Sequence, residues 1–222
     1  MGTRVTPYSS ADAESKKQQV ARMFDNIAHS YDFLNHLFSF GIDVLWRKRA
    51  IRLLKSHWNG HAGPFRLMDM ATGTADFAIE ALRMNLKNTH VTGVDISPGM
   101  LEVGRKKVSK RGWDKSIELI EGDSADLPFE DETFDAYTVA FGVRNFENLD
   151  QGMREMFRVL RPGGIGLVLE FSKPKKFPMK QLFGLYFKFI MPTIGRLVSQ
   201  DAAAYTYLPE SVDAFPEGPE FM

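Results

Sequence analysis

The stretch "FRLMDMATGTADFAIEAL", Phe65 to Leu82, decides the fold because it reads as a buried strand, a tight loop and the first turns of a helix. Loops at such junctions often bind ligands through backbone N–H groups, and glycine permits the close approach because it has no Cβ. Gly73 is the only glycine of this loop, with Ala71 and Ala75 on either side. The stretch therefore predicts a ligand-binding loop, and the rest of the chain has to identify the ligand.

Outward from this stretch, strand and helix patterns alternate along the chain with short connections. Apolar residues recur at helical spacing from Gln18 and again in "IDVLWRKRAIRLL", which predicts two lead-in helices. We then predict strands at 65–70, 90–96, 117–122, 133–141 and 165–171, and helices at 75–86, 98–110 and 149–161, with "RPGG" opening the fifth strand. The alternation predicts an α/β fold, a doubly wound Rossmann-like parallel sheet with helices on both faces.

The composition excludes several classes of protein and site. The 222 residues include no cysteine, which excludes disulfides, thiolate zinc sites and a cysteine nucleophile, and fits a reducing cytoplasm. The polar start lacks a secretory apolar region, and no apolar run reaches the ~18 residues of a membrane span. His29 and His36 are seven residues apart and could face the same way, but we expect no carboxylate to join them, so no metal site is predicted. We expect a cytoplasmic protein without a nucleic-acid partner.

Polar residues follow several of the predicted strands at the point where each strand ends. Asp69, Asp95, Asp123 and the segment "AFGVRN" all occupy such positions. Ligands of open parallel sheets bind outside the carboxyl ends of the strands, near the switch in strand order. These residues therefore predict one ligand site along a single edge of the sheet.

The loop around Gly73 departs from the pattern that binds dinucleotides. The position three residues after Gly73, where that pattern has a third glycine or alanine, holds Asp76, and no Tyr-x-x-x-Lys pair occurs in the chain. Asp95 follows Gly73 by 22 positions, close to the ~20-residue interval at which an acidic residue accepts hydrogen bonds from a ribose. A ribose is common to NAD and S-adenosylmethionine, and Asp123 with Ser124 lies in reach of an adenine amino group. A nicotinamide oxidoreductase is disfavoured but stays open at this point.

Seven motifs together resemble those of the demethylmenaquinone/ubiquinone-biosynthesis C-methyltransferases, which are class I S-adenosylmethionine-dependent methyltransferases. They are "FDNIAHSYDFLN", "MDMATGTADFA", "GVDISPGML", "GDSADLPF", "FGVRNF", "RVLRPGG" and "LEFSKP", and the resemblance extends from Val20 to Val212. It implies C-methylation of demethylmenaquinol to menaquinol with S-adenosyl-L-methionine. The close alternative is a benzoquinol of the ubiquinone pathway, and a non-catalytic cofactor-binding module is a further alternative.

The resemblance implies which residues contact the cofactor and the substrate. The implied cofactor-binding residues are Gly73, Thr74, Asp95, Ile96, Asp123, Ser124 and Ala140. The implied catalytic residues are Asp76, Arg144 and Asn145, and Tyr31 and Phe141 join Arg144 as implied substrate residues. Asp76 is expected to take a hydroxyl proton, directly or through a water, while Arg144 stabilises the oxyanion. The competing interpretations are a helix-dipole role for Asp76, a structural ion pair for Arg144 and core packing for Tyr31.

Three features depart from the pattern of the family. The first loop has Thr72 and Ala75 at the ends of a Thr-Gly-Thr-Ala sequence where members often have Gly-Gly-Thr-Gly, and Ala140 stands where they often have serine. The family also continues with a helix and two further strands, so its C-terminal strands are expected to be missing from this chain. We predict one methyltransferase domain over 1–222, with N-terminal helices at 1–62, a cofactor-binding core at 63–171 and a substrate- or membrane-facing part at 172–222.

The segment "FPMKQLFGLYFKFIM", Phe177 to Met191, predicts a helix with a narrow polar stripe of Lys180, Gly184 and Lys188. Three lysines lie just upstream, and the helix is too short to span a bilayer. A prenylated quinol is nearly insoluble in water, so we predict that this segment docks on the membrane surface or on the prenyl chain. The alternatives are a buried helix or the contact of a homodimer.

Overall fold

The computed structural model describes residues 5–8, 14–58, 63–83, 88–186, 189, 193, 201, 203–216 and 218–221. The chain starts with two helices, α1 (Lys16–Phe38) and α2 (Ile42–Trp58). It continues with β1 (Phe65–Met70), α3 (Asp76–Arg83), β2 (Thr89–Asp95), α4 (Pro98–Ser109), β3 (Ile117–Glu121), β4 (Phe134–Ala140), α5 (Leu149–Arg158) and β5 (Leu160–Leu169). Two more helices follow, α6 (Met179–Leu185) and α7 (Ala203–Ala214).

The five strands form one parallel sheet in the order β3-β2-β1-β4-β5. The order reverses between β1 and β4, so the carboxyl ends of these two strands border the crevice where such sheets bind ligands. Leu67, Met68 and Val139 are fully buried, as expected for central strands covered by helices on both faces. The predicted doubly wound α/β sheet is confirmed.

Helix α1 crosses the carboxyl edge of the sheet and brings its own side chains to the ligand crevice. It starts at a capping box, in which the Ser15 side chain accepts from the N–H of Gln18 and the Gln18 side chain accepts from the N–H of Ser15. Asp25, in the middle of α1, accepts hydrogen bonds from the Ser97 hydroxyl at 2.6 Å and the Gly99 N–H at 2.8 Å. These bonds hold α1 against the start of α4.

Several predicted boundaries differ from the observed ones. Strand β5 starts at Leu160 and includes the "RPGG" sequence, whereas the prediction placed it at 165–171. The glycines are accommodated because the register against β4 shifts between Phe134 and Ala136, and Gly163 has a left-handed φ of 81°. The α5 helix accordingly ends at Arg158, and α3 is described to Arg83, with the predicted residues 84–86 outside the described ones.

The C-terminal part contains one helix that the sequence patterns did not predict. Helix α7 carries Pro209 in its interior, and its Tyr205 and Tyr207 are buried against the α1 side of the molecule. Helix α6 forms the first part of the predicted membrane-docking segment, while Phe187, Lys188, Ile190 and Met191 lie outside the described residues. No helix in the described part of the chain is long and apolar enough to cross a bilayer.

Candidate active site

Two cavities meet at the carboxyl edge of the sheet. The first, called the strand-end cavity, has a volume of about 330 Å³ and is lined by Gly73, Asp95, Ile96, Asp123, Ser124 and Ala140, among others. The second, called the apolar cavity, has a volume of about 790 Å³ and is lined mainly by α1, α2, α6 and α7. Phe24, Tyr31 and Phe141 line both cavities, so these three rings form the boundary between them.

The loop after β1 adopts left-handed backbone conformations at three positions. The φ angles are 54° at Ala71, 55° at Gly73 and 66° at Ala75. Such angles are unfavourable for residues with a Cβ, and backbone strain of this kind collects at ligand sites where the surroundings enforce it. The alanines of the loop therefore take the same conformations that glycines take in loops of this type.

Asp95 enforces the loop conformation. Its Oδ2 accepts a hydrogen bond from the Gly73 N–H at 2.8 Å, and its Oδ1 accepts one from the Ser97 N–H at 2.9 Å. Burial raises the pKa of Asp95 to about 6, although these N–H groups act in the opposite direction. Each carboxylate oxygen retains a second lone pair that can accept from a ligand hydroxyl in the strand-end cavity.

Asp69 supports the same loop from below. Its carboxylate accepts from the Thr72 hydroxyl at 2.6 Å and from the Thr138 hydroxyl at 2.7 Å. Burial raises the pKa of Asp69 to about 6, and neither cavity is lined by this residue. Asp69 thus orders the loop by hydrogen bonds, whereas its strand-end position alone had grouped it with the predicted ligand-site residues.

The end of β3 contributes Asp123 and Ser124 to the strand-end cavity. Asp123 pairs with Lys17 of α1 at 2.7 Å and accepts from the Ala125 N–H at 3.0 Å. Ser124 is buried beside it. The Lys17 partner was not predicted, since nothing in the local sequence connects two residues so far apart in the chain.

The structure places two predicted site residues outside both cavities. Thr74 donates its hydroxyl to the carboxylate of Asp32 on α1. Asp76 forms an ion pair with Lys107 of α4, and its Oδ2 lies 3.6 Å from the Arg47 guanidinium of α2. Arg47 itself lines the apolar cavity, so Asp76 reaches that cavity only through Arg47. The roles predicted for Thr74 and Asp76 stay predictions.

Arg144 lies at the floor of the apolar cavity, in a short 3-10 helix (Val143–Asn145) directly after β4. Its Nη1 donates to the Phe141 carbonyl and to Glu170 at 2.9 Å, and its Nε donates to the Ser211 hydroxyl at 3.3 Å. The guanidinium also lies 5.5 Å from the centre of the Phe171 ring. The predicted structural ion pair thus exists, and it positions Arg144 in the cavity rather than away from it.

Asn145 lines only the strand-end cavity and Tyr31 lines both cavities, and their predicted catalytic and substrate roles stay predictions. Asn145 lines the strand-end cavity, and its Oδ1 accepts a hydrogen bond from the Tyr207 hydroxyl at 3.1 Å. Tyr31 packs edge-on against Phe24 with ring centres 6.0 Å apart, and burial raises the pKa of its hydroxyl. Tyr31 therefore combines the predicted core packing with a position between the two cavities.

Sequence reasoning missed several residues of the site. Glu170 lines the apolar cavity, Tyr207 contacts Asn145, and Lys16 donates its buried Nζ to the carbonyls of Arg144 and Phe146 at 3.2 Å. Burial lowers the pKa of Lys16 to about 8. Of these three residues, only Glu170 could have been found from the sequence, because it directly follows a strand at the edge of the sheet where ligands bind.

The structure corrects one argument about histidine and metal. His36 does have a carboxylate neighbour, since its Nδ1 lies 2.9 Å from Oδ2 of Asp43. Asp43 is saturated by Arg47 at 2.7 Å and by the Ser39 hydroxyl at 2.5 Å. Within the described residues, no group of three or more His, Asp or Glu side chains could hold a metal ion.

Comparison with known proteins identifies the family. The model of the ubiE/COQ5 methyltransferase family matches residues 12–222. The chain belongs to this family. A demethylmenaquinone methyltransferase of Bacteroides fragilis is 50% identical over 218 residues, with coverage of 97% of this chain and 84% of the relative. The ubiquinone/menaquinone biosynthesis C-methyltransferase UbiE of Geotalea daltonii is 42% identical over 206 residues, with coverage of 93% and 85%.

Solved structures agree with this assignment at the level of the fold. The crystal structure of the cyclase SpnF superposes with a TM-score of 0.59 and 24% identity, covering 74% of this chain and 63% of that one. The PH0226 protein of Pyrococcus horikoshii superposes with a TM-score of 0.53 and 25% identity, covering 69% and 62%. Membership of the family confirms the predicted methyltransferase class and its methyl donor, S-adenosylmethionine.

The strand-end cavity fits this methyl donor. Asp95 and Asp123 supply carboxylate acceptors for ribose hydroxyls and amino groups, and they suit a ligand that carries a sulfonium charge. The loop after β1 and the segment after β4 pack closely together beside this cavity, since a Cβ on Gly142 would lie 2.4 Å from the Cβ of Ala71. The backbone of both loops is thereby held at the wall of the cavity.

Proposed function

We propose that this methyltransferase converts demethylmenaquinol to menaquinol by methylating a ring carbon of the prenylated quinol. The observation that carries the proposal is that the strand-end cavity, lined by the carboxylates of Asp95 and Asp123, adjoins the larger apolar cavity across three shared aromatic rings, those of Phe24, Tyr31 and Phe141. A prenylated quinol has a polar ring head and an apolar tail. The apolar cavity offers Arg144 to the ring head and mostly apolar side chains to the tail. The Bacteroides relative bears the name of this activity.

The chemistry requires that electron density be pushed onto the ring carbon. S-adenosylmethionine, when bound, supplies an electrophilic methyl group whose bond to sulfur breaks as the new carbon–carbon bond forms. Arg144 stabilises the negative charge that develops on the quinol oxygen, because its guanidinium lies at the floor of the apolar cavity. Asn145 orients groups on the cofactor side of the boundary.

Asp76 acts in this proposal as a positioning residue. Its carboxylate is neutralised by Lys107, and its second partner Arg47 lines the apolar cavity. Asp76 lines neither cavity, so its carboxylate does not contact a substrate in the apolar cavity directly. Asp76 therefore influences the substrate through Arg47.

We also propose that the enzyme works at a membrane surface. Around α6, Phe177 is 81% exposed and Leu182 is 55% exposed, and Phe40 in the turn between α1 and α2 is 79% exposed. The two regions are joined, since the Tyr186 hydroxyl donates to the Phe38 carbonyl at 2.7 Å and the Phe40 and Tyr186 rings pack together. Both regions also line the apolar cavity, so a prenyl tail would enter from the side that carries the exposed apolar groups.

The sequence analysis placed the membrane contact on the segment from Phe177 to Met191, and the structure distinguishes which described side chains of this segment are exposed. Phe183 is only partly exposed and faces the apolar cavity, whereas Phe177, Met179, Leu182 and Leu185 are more than half exposed. The exposed side chains of Lys175, Lys176 and Lys180 follow the same segment. Lysines beside apolar side chains favour an anionic lipid surface.

Incubation with S-adenosylmethionine carrying a labelled methyl group tests the proposed function. We expect label in the ring of reduced demethylmenaquinol, detected by mass spectrometry, and little in a methoxybenzoquinol with the same prenyl chain. The oxidised quinone should not react, because a carbonyl cannot supply the electrons of a phenolate. Equal labelling of the oxidised and reduced forms would contradict the mechanism, and preferential labelling of the benzoquinol would favour the ubiquinone pathway.

A further inference from the structure

The apolar cavity contains a carboxylate that the mechanism above does not use. Glu170 directly follows β5, its side chain is 7% exposed, and it lines this cavity. Its Oε1 accepts from Arg144 Nη1 at 2.9 Å and from the Phe171 N–H at 2.9 Å. Its Oε2 accepts from the backbone N–H of Arg144 at 3.5 Å, which is too long for a strong hydrogen bond. One oxygen is therefore fixed while the other retains capacity to accept.

Glu170 lies next to the boundary between the two cavities. Arg144 Nη1 donates both to Glu170 and to the carbonyl of Phe141, and Phe141 lines both cavities. The rings of Phe141 and Phe171 pack with their centres 4.7 Å apart, so the backbone on both sides of Glu170 is held in place. A quinol ring at this boundary presents its hydroxyl groups to Arg144 and Glu170.

The other carboxylate that lines the apolar cavity, among the described residues, is fully engaged. Asp43 accepts from Ser39, His36 and Arg47. Burial alone would raise the pKa of Asp43, but these partners outweigh burial and hold it below its usual range. Asp76 lines neither cavity. Glu170 is thus the carboxylate with a free acceptor position where the substrate binds.

We propose that Glu170 is the proton acceptor for the quinol hydroxyl; the proposal rests on the function proposed above. The O–H bond of the quinol breaks, its electron pair stays on the quinol oxygen, and the proton forms a new O–H bond with Oε2 of Glu170. The ring carbon beside that oxygen becomes nucleophilic. After methylation the ring C–H proton leaves to water and Glu170 returns its proton to the oxygen, so one proton is released overall.

The charged and titratable groups that line the same cavity are compatible with the step. They include Arg144 of the 3-10 helix, Arg47 and Asp43 of α2, Tyr31 of α1, and Tyr205 and Tyr207 of α7. Burial raises the pKa of Tyr31, and that of Tyr207 to about 12, so these hydroxyls stay neutral donors. Arg144 offsets the charge on whichever oxygen, of Glu170 or of the quinol, is ionised at each stage.

The test compares Glu170→Gln with Glu155→Gln. In Glu170→Gln the new amide oxygen can still accept from Arg144, but the amide cannot take a proton, so we expect kcat on the reduced quinol to fall about 100-fold or more. The KM for the quinol and the affinity for S-adenosylhomocysteine should change less than about threefold. Glu155 pairs with Arg158 at 2.7 Å away from both cavities, and its variant should keep the parent kcat.

Two further measurements separate proton transfer from structural support. Quinol hydroxyls ionise near pH 10, as tyrosine does, so the kcat of Glu170→Gln should rise up to about tenfold per pH unit between pH 7 and 9, while that of the parent rises less. A Glu170→Ala variant should recover activity with added formate, a small base that fits the vacated space. Circular dichroism establishes that each variant is folded.

Three results would overturn the inference. The first is a Glu170→Gln variant with the kcat of the parent. The second is that the Glu170 variants are folded and slow, but Glu170→Gln does not recover at high pH and Glu170→Ala is not rescued by formate. That result would leave Glu170 as structural support for Arg144. In both cases the parent still methylates quinol and the proposed function stands. A parent that labels no quinol would overturn the proposed function and, with it, the role of Glu170.

Discussion

At the residue scale, Asp95 supports the loop after β1 and lines the strand-end cavity. Its carboxylate accepts hydrogen bonds from the N–H groups of Gly73 and Ser97 at the wall of the strand-end cavity. Burial makes the charged form costly, which is why its pKa rises to about 6. The charge becomes favourable again when ligand hydroxyls donate to it.

Asp95 should therefore make cofactor binding depend on pH. The charged carboxylate accepts stronger hydrogen bonds than the acid, so the affinity for S-adenosylhomocysteine should increase as pH rises from 5 to 7 through the raised pKa of about 6. Asp95→Asn should lose at least about tenfold in affinity at pH 7, since hydrogen bonds to a charged group contribute ~1.5–3 kcal/mol each. Isothermal titration measures both effects. The affinity of Asp95→Asn for S-adenosylhomocysteine should not change with pH. That of Asp131→Asn, an exposed control outside both cavities, should change with pH as in the parent.

Asp76 should affect turnover more than cofactor binding. In Asp76→Asn, the ion pair with Lys107 is lost and Arg47 is held less firmly at the apolar cavity. We expect kcat to fall about tenfold, equivalent to ~1.4 kcal/mol, with cofactor affinity nearly unchanged. Glu80→Gln on the same helix, which loses the pair with Arg83 at 3.5 Å, is the matched control. If Asp76→Asn turned over quinol at the parent rate, Asp76 would have no role in turnover and would be only a surface residue of α3.

At the scale of elements, α1 is the helix on which the site depends. It contributes Lys17 to Asp123, Lys16 to the loop after β4, and Phe24 and Tyr31 to the boundary between the cavities. Its position therefore determines the shape of both cavities. The capping box at Ser15 determines where it begins.

Removal of this cap should destabilise α1 at the end that contacts the site. Ser15→Ala loses the acceptor for the Gln18 N–H, and N-cap replacements of this kind cost about 1 kcal/mol. Urea unfolding measures the change in the free energy of unfolding. Ser56→Ala, within α2, removes a hydroxyl that only donates to the Leu53 carbonyl and should change stability by less than about 0.5 kcal/mol. A Ser15→Ala protein as stable as the parent would show that tertiary contacts alone hold the start of α1.

At the scale of the whole molecule, apolar exposure is concentrated around the mouth of the apolar cavity. The turn after α1 and the segment from Phe177 through α6 both carry large exposed side chains, and both line that cavity. The net charge of the whole chain is zero, so the lysines before and within α6 provide a local rather than a global attraction to lipid.

Vesicles of anionic lipid should therefore bind the enzyme in a salt-dependent way. Co-sedimentation should decrease on adding salt, since the attraction between lysines and lipid is screened. It should decrease further in a Phe177→Ser, Leu182→Ser variant, which removes apolar contacts with the bilayer. Phe157→Ser removes a comparably exposed phenylalanine from α5, at 76% exposure and outside both cavities, and should bind like the parent. Equal loss in both variants, or no binding by the parent, would argue for a dimer contact or another partner.

The sequence by itself determined the parts of this protein that depend on local patterns. The periodicity of apolar residues predicted the alternation of strands and helices, and strand-end positions identified Asp95, Asp123 and Ser124 around one edge of the sheet. These predictions succeeded because the carboxyl ends of parallel strands share one edge wherever the strands lie in the sheet. The combination of motifs then identified the family.

Only the tertiary structure decided which distant side chains meet. Arg144 reaches Glu170 26 residues away, Tyr207 reaches Asn145 62 residues away, and Lys107 captures Asp76 although it lies on another helix. No local pattern encodes such pairs, because they depend on how helices pack on the sheet and on which charges burial forces together. The division of the site into the strand-end cavity and the apolar cavity, with three aromatic rings between them, likewise arises from the packing of α1 over the strand ends.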